Sequence, residues 1–396
     1  MLLKLSKFTY ILFIFYIGWF QNLFFQVPRM PLILGFSMIN LLMLYKMSTK
    51  ENATFVLTKP IFIWLFFSYY ALLSGLFVAL DKGLLIDSLS TYIQILLIVF
   101  YIVNISVIEK DNKFFIKAYF IYSVIYMCTM LFWGVAVKGG RLALSENSNP
   151  NNDGLTLFYG VFCFLMLLDT KKINRLLLSL GLIGLFSYTI ILTGSRKSFM
   201  ALVILLFLWF FLVFRRYWKL YSLPQKIILL LVAVIISSIA MPQFISILLD
   251  STLFKRLIEG GYSISSDKTR SGMYQEAIKF FIDNPLCGIG FNHYRLLSRY
   301  QTYSHSTYAE IISTTGIIGT LIYFLPYIII IYNLFLLYIR KKGTMTSLKS
   351  LQYLILMATM LALGIGVIHF YNITDNIMFA LMISFYQVEK NKQRSH

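Results

Sequence analysis

The chain has 396 residues, of which 59% are hydrophobic, 17% aromatic and only 13% charged. Soluble domains carry about 25% charged residues, and 36 Phe with 27 Tyr exclude a disordered chain. A bilayer span uses about 20 apolar residues, so about twelve spans account for this composition and define an all-α polytopic integral membrane protein. The formal charge of +19 would suggest nucleic acid in a soluble protein. In a membrane protein it is expected instead on cytoplasmic loops or around a bound anion, and no nucleic-acid partner is expected. Cys128, Cys163 and Cys287 lack metal or disulfide spacing and read as packing residues.

In chain order, apolar segments fall near 8–25, 31–46, 60–80, 86–107, 115–137, 154–169, 176–193, 198–214, 227–247, 309–338, 351–370 and 374–388. The first follows Lys4 and Lys7 with no small-residue cleavage site behind it, the pattern of a retained signal-anchor. Placing the N-terminus in the cytoplasm puts 22 of the 35 Lys and Arg on the inner side. Seven of the other 13 lie between Lys255 and Arg299, in a long loop that escapes the positive-inside rule. Both termini are therefore expected to be cytoplasmic, with one integral domain over 1–396 and one long outer loop over 248–308 between spans 9 and 10.

Three outer connections carry basic residues among polar, helix-breaking sequence. The first joins Lys138-Gly139-Gly140-Arg141 to Asn149-Pro150-Asn151-Asn152. The second is the turn Thr193-Gly194-Ser195-Arg196-Lys197-Ser198. The third is the long loop, where Met273, Ala277 and Phe281 give Ser271–Ile282 one apolar helical face. Asn284-Pro285 ends that helix, Gly288 and Gly290 supply a turn, and His305, Tyr308 and Glu310 stand at the mouth of the next span.

Arginine offers a permanently charged donor fork that suits phosphate oxygens. Histidine takes up a proton near neutral pH and can serve as a general base toward a hydroxyl. Arg141, Arg196 and Arg270 with His305 on one face therefore suit displacement of a lipid-linked pyrophosphate by a hydroxyl. Each also has a plainer reading: an arginine at a helix end snorkels to the interface, and a lone loop histidine is solvated or structural. His293 and His369 read as structural, and Asp87 and Asp375 as caps of outer helix ends. No phosphate-binding glycine loop, His-Glu-x-x-His or Cys/His cluster is present, so neither a metal nor a cofactor is expected.

These residues fall into a known pattern. Thr193-Gly194-Ser195-Arg196 opening an apolar span resembles the first signature of the bacterial O-antigen polymerase/ligase family. Arg270-x-x-Met273-Tyr274-x-x-Ala277, then Asn284-Pro285-Leu286-x-Gly288-x-Gly290-Phe291, is similar to the second. His305-Ser306-x-Tyr308-x-Glu310 with Gly316-Ile317-Ile318-Gly319 resembles the third, with Ser306 where the family often has Asn. Gly140-Arg141 with Asn149-Pro150-Asn151 resembles an earlier element, so the signatures span 140–320.

The resemblance implies a GT-C-like fold and a metal-independent, inverting glycosyltransferase at the outer face of the bacterial cytoplasmic membrane. Its substrate would be an undecaprenyl-pyrophosphate-linked oligosaccharide, with membrane lipids, a chain-length regulator and a flippase as partners. Carried over, Arg196 and Arg270 bind the pyrophosphate, with Arg141 and Lys197 as weaker additions, and His305 activates the acceptor hydroxyl. Glu310 orients His305 or binds sugar, and Tyr308 stacks on a sugar ring or is an interface aromatic. A polymerase making O-antigen or capsule adds one lipid-linked repeat unit to another, whereas a ligase passes the glycan to lipid A-core. Both readings stay open, the polymerase being preferred, and a lipid-linked oligosaccharide flippase is the third.

Overall fold

The computed structural model describes residues 56–137, 139–146, 148–168, 173–218, 221–231, 245–246, 249, 251, 253–254 and 263–394. The expected segments 8–25 and 31–46, the signal-anchor among them, and most of 227–247 lie outside the described residues.

The described chain is almost entirely helical. It comprises α1 (Lys59–Val78), α2 (Lys82–Ile108), α3 (Lys113–Trp133), α4 (Pro150–Leu167), α5 (Ile173–Leu192) and α6 (Arg196–Leu208). A π-helical stretch, Trp209–Phe214, continues α6 into α7 (Arg215–Trp218). Then come α8 (Ser263–Asp283), α9 (Tyr294–Leu297), α10 (Thr307–Arg340), α11 (Met345–Leu363) and α12 (Ile373–Arg394). Helix starts follow local chemistry: Pro60 and Pro150 open α1 and α4, and Asp81, Asn149, Ser195, Ser306 and Thr344 cap with side-chain oxygens.

Among the described residues, six helices are long and apolar enough to cross a membrane: α1, α2, α3, α6 with its π-helical extension, α10 and α11. They coincide with the expected segments at 60–80, 86–107, 115–137, 198–214, 309–338 and 351–370. Leu178–Leu192 within α5 is a shorter apolar helix. Large side chains such as Phe77, Phe132 and Trp133 stand mostly exposed, which water would penalise and lipid would not. Helix α10 is interrupted at Gly316, and the stretch after the break, residues 317–340, is about 36 Å long at 1.5 Å per residue, enough for the roughly 30 Å hydrocarbon layer.

Two compact units divide the chain, one over Met1–Pro28 and Ile116–Ile264, the other over Arg29–Phe115 and Ser265–His396. In the first, α4 packs against α5 and α6. Gly160 lets α4 approach closely, since a Cβ there would collide with the Ser123 side chain. A short hairpin that the sequence did not suggest, Val135–Val137 paired antiparallel with Arg141–Ala143, places Arg141 opposite Val137. In the second unit α2 packs on α12, and α10 on α1 and α11, around Trp64, Phe67, Tyr92, Tyr323, Tyr327 and Phe379. Two polar contacts tie that core: Trp64 Nε1 donates to the Tyr323 carbonyl at 3.2 Å, and the Tyr323 and Tyr327 hydroxyls share a 2.7 Å bond.

Candidate functional site

The first unit carries the Arg196 turn. Gly194 at φ 60° lets the chain reverse between α5 and α6. Ser195 then caps α6, its Oγ accepting from Ser198 N and bonding to Ser198 Oγ at 2.9 Å. Arg196 and Lys197, both half-buried, occupy the first two helical positions. A cation there opposes the helix dipole, which favours anions at this end. Two basic residues at an N-terminus therefore sit where an anion, and not the helix, gains from them.

Arg141 braces the turn from the hairpin. Its Nε donates to the Thr193 carbonyl at 2.8 Å and its Nη2 to Asn151 Oδ1 at 2.8 Å. The α4 and α6 N-termini are thereby held together, and Gly154 keeps them close because a Cβ would meet Ser198 Oγ at 2.8 Å. Fully buried Asp153 closes the network by accepting from Tyr126 Oη at 2.6 Å, Ser148 Oγ at 2.9 Å and Leu144 N at 3.1 Å. Motif residues 141, 149–151 and 193–198, far apart in sequence, thus form one polar junction.

The second unit carries the remaining candidates. Helix α8 begins before the expected Ser271, so half-buried Arg270 lies within the helix and not ahead of it. Met273 and Ala277 pack with Ile289 and Tyr294, joined by Phe280 where Phe281 was expected. Beyond α8, the chain from Asn284 to Gly290 threads into a break in α10 at Gly316, whose φ of 64° and ψ of −169° suit glycine alone. The break frees backbone groups that the incoming turn satisfies. Ile289 N donates to Ser313 O at 3.1 Å, Gly290 N to Thr314 O at 3.0 Å, and Ile317 N to Pro285 O at 2.9 Å. A Cβ on Gly288 would lie 2.5 Å from the α10 backbone, and one on Gly316 would collide with the Leu286 carbonyl. Two of the sequence motifs are therefore halves of one joint.

His305 sits on a tight turn before α10 with φ 59°, a left-handed conformation that costs a non-glycine residue energy. Its ring lies 4.4 Å from that of Tyr303. The turn is braced from within: Ser304 N donates to Glu310 Oε2 at 2.7 Å, Ser304 Oγ donates to Ser306 O at 3.1 Å, and Ser306 caps α10. Glu310 is fully buried, and its Oε1 has no hydrogen-bond partner among the described residues. Glu310 thus contacts the His305 turn through the Ser304 backbone amide, His305 itself lying in the turn and not on the helix. Partial burial pushes the Tyr303 phenol above its ordinary range; Glu310 adds to this and the Arg270 guanidinium opposes it. Arg270, Tyr303, His305 and Glu310 thus form one neighbourhood.

Tyr308 donates its hydroxyl to the Leu361 carbonyl at 2.7 Å and stacks one face on Phe324. His293 is fully buried and brackets the Phe291 turn against Asp81, its Nδ1 facing Phe291 O and its Nε2 accepting from Asp81 N. Sequence reasoning missed Arg295, which lies within electrostatic reach of Glu310 and Tyr371. With its amide oxygen turned toward them, Asn292 accepts from Ser88 Oγ at 2.7 Å and from Arg295. Only the left-handed φ of 63° at Asn292 is the kind of signal a sequence hints at, through an Asn in a Gly-rich turn.

Fold and site together define a polytopic helical membrane protein that carries a basic turn in one unit and an imidazole-bearing turn in the other. Residues 180–324 match the model of a family described as O-antigen ligase, so the resemblance carried by the motifs holds over this stretch. The stretch contains Arg196, Lys197, Arg270, His305, Tyr308 and Glu310, and ends short of Arg141. None of the curated proteins compared matches the chain.

Proposed function

We propose that the protein is a membrane glycosyltransferase of the O-antigen polymerase type, acting at the outer face of the bacterial cytoplasmic membrane on undecaprenyl-pyrophosphate-linked glycan. An acceptor hydroxyl of a second lipid-linked repeat unit gives its proton to the His305 imidazole as its oxygen attacks the anomeric carbon. The bond from that carbon to the pyrophosphate oxygen breaks with inversion, and undecaprenyl pyrophosphate leaves. Arg196 and Arg270 stabilise the charge gathering on the leaving group, the task a divalent ion performs in other transferases. Lys197 adds charge at the same helix end, and Arg141 serves mainly by holding the Arg196 turn.

The observation that carries this reading is His305, held in a strained left-handed turn against Tyr303, whose phenol lies within electrostatic reach of Arg270. Strain of this kind is maintained where surrounding structure over-determines it, and it clusters at active sites. Ligation to lipid A-core uses the same chemistry with another acceptor, and the matched family bears the ligase's name. Reconstitution decides between them. Purified protein in liposomes with lipid-linked repeat units and excess chelator should yield a ladder of products. A ladder that never forms, with a single transfer when lipid A-core is supplied, would replace the polymerase by the ligase. No transfer to either acceptor would end the glycosyltransferase reading.

A further inference from the structure

Between α11 and α12 the chain makes a compact turn over residues 364–372, and its carbonyls are used in an unusual way. Ser306 Oγ donates to Gly364 O at 3.3 Å, and Thr307 N donates to Gly364 O at 2.9 Å and to Val367 O at 3.1 Å. Thr307 Oγ1 donates to Val367 O at 2.6 Å while accepting from His369 N at 3.0 Å. These donors are the two residues that follow His305. From α8, one turn beyond Arg270, Tyr274 Oη donates to Ile365 O at 2.7 Å. Tyr308 Oη takes Leu361 O at the end of α11. One short segment therefore receives hydrogen bonds from the neighbours of both Arg270 and His305.

That segment is itself locked by a buried pair. His369 Nδ1 lies 2.6 Å from Asp375 Oδ2, and Nε2 lies 2.8 Å from the Met360 carbonyl. Both ring nitrogens thus face oxygen acceptors, one on each side of the turn. His369 and Asp375 are 2% and 0% exposed. The pair joins the carbonyl end of α11 to the amide end of α12, where a cation and an anion respectively are favoured. Asn376 Nδ2 ties the His369 carbonyl at 2.8 Å. Gly364 is confined by the same ring, since a Cβ would lie 3.1 Å from His369 Nε2.

We propose that the 364–369 turn, locked by His369 and Asp375, is the platform that sets the position of His305 relative to Arg270, making Thr307, His369 and Asp375 positioning residues for the transfer. This rests on the functional reading above. A base and an anion-binding arginine act together only at fixed spacing, and a displacement near 1 Å costs on the order of 10²-fold in rate.

The test compares Thr307→Val, which removes the hydroxyl at near-constant shape, with Thr307→Ser, which keeps it, and with Asp375→Asn, which keeps an acceptor but removes the charge. Turnover on lipid-linked glycan in liposomes is measured alongside hydrogen exchange of peptides covering 300–308. Thr307→Val and Asp375→Asn should lower kcat about tenfold or more, with KM for the lipid-linked donor within about twofold. Exchange over 300–308 should quicken by about fivefold or more, while Thr307→Ser keeps both near wild type. Wild-type kcat in either disabling variant, or equal loss in the Ser variant, overturns the platform. If the wild-type protein transfers no glycan, the functional reading falls, and exchange alone decides: unchanged protection in both disabling variants overturns the platform.

Discussion

Replacing Gly316 by alanine tests the joint between the 284–290 turn and α10. At φ 64° and ψ −169° an L-residue pays about 1–3 kcal/mol for the backbone alone. The new Cβ also collides with the Leu286 carbonyl, so the incoming turn must retreat. Retreat weakens the bonds of Ile289 N, Gly290 N and Ile317 N across the joint and that of Tyr70 Oη to Leu286 O, each worth about 0.5–1.5 kcal/mol net. Losing two of the four brings the total to about 2–6 kcal/mol, a large part of the 5–15 kcal/mol that holds a typical domain. Gly343 is the internal control: it has φ 87° and nothing within 4 Å of its Cβ position, so Gly343→Ala pays only the left-handed backbone cost of about 1–2 kcal/mol. Equilibrium unfolding in mixed micelles, followed by tryptophan fluorescence, gives both values. Equal destabilisation of the two variants would refute the close-packed joint.

Four further outcomes follow from the site. Glu310→Ala leaves Ser304 N buried without its acceptor, a loss of about 1–3 kcal/mol, and should lower kcat about 10- to 100-fold, whereas Glu310→Gln retains an acceptor and should stay within about fivefold; steady-state transfer assays on folded protein check the difference. Arg196→Lys and Arg270→Lys keep charge but lose the two-pronged fork, so each should lose about tenfold or more in kcat/KM for the lipid-linked donor. His305→Ala should lose about 10²- to 10⁴-fold in kcat with donor binding retained. Arg141→Gln should release the Thr193 carbonyl and speed hydrogen exchange over 193–198, with a smaller loss of transfer than Arg196→Lys.

Glycine positions show how motif residues become legible. Gly288, Gly290 and Gly316 all have positive φ, and each lies where a Cβ would strike another segment. A sequence displays them as two separate glycine motifs about 26 residues apart. Only the folded chain shows that each supplies both amides and carbonyls to the same junction. Arg141 is similar: it reads as a loop cation, and in the structure its guanidinium spans from a hairpin to the turns beside α4 and α6.

What the sequence decided by itself is local or additive. Apolar runs long enough for a bilayer, turn residues and helix caps depend on neighbours within a few positions. On that basis α1, α2, α3, α6, α10 and α11 were foreseeable, as was the turn at Gly194. Arg196, Arg270 and His305 stood out because charge and imidazole among apolar spans are costly and rarely idle. What folding alone decided is which polar groups meet. Glu310 reaches back to Ser304 because the chain reverses at His305, and His369, first read as structural, meets Asp375 only because α11 and α12 end side by side. A hydrogen bond depends on atoms within about 3 Å, and residues such as Thr307 and His369, which are 62 positions apart, acquire that distance only in the packed molecule.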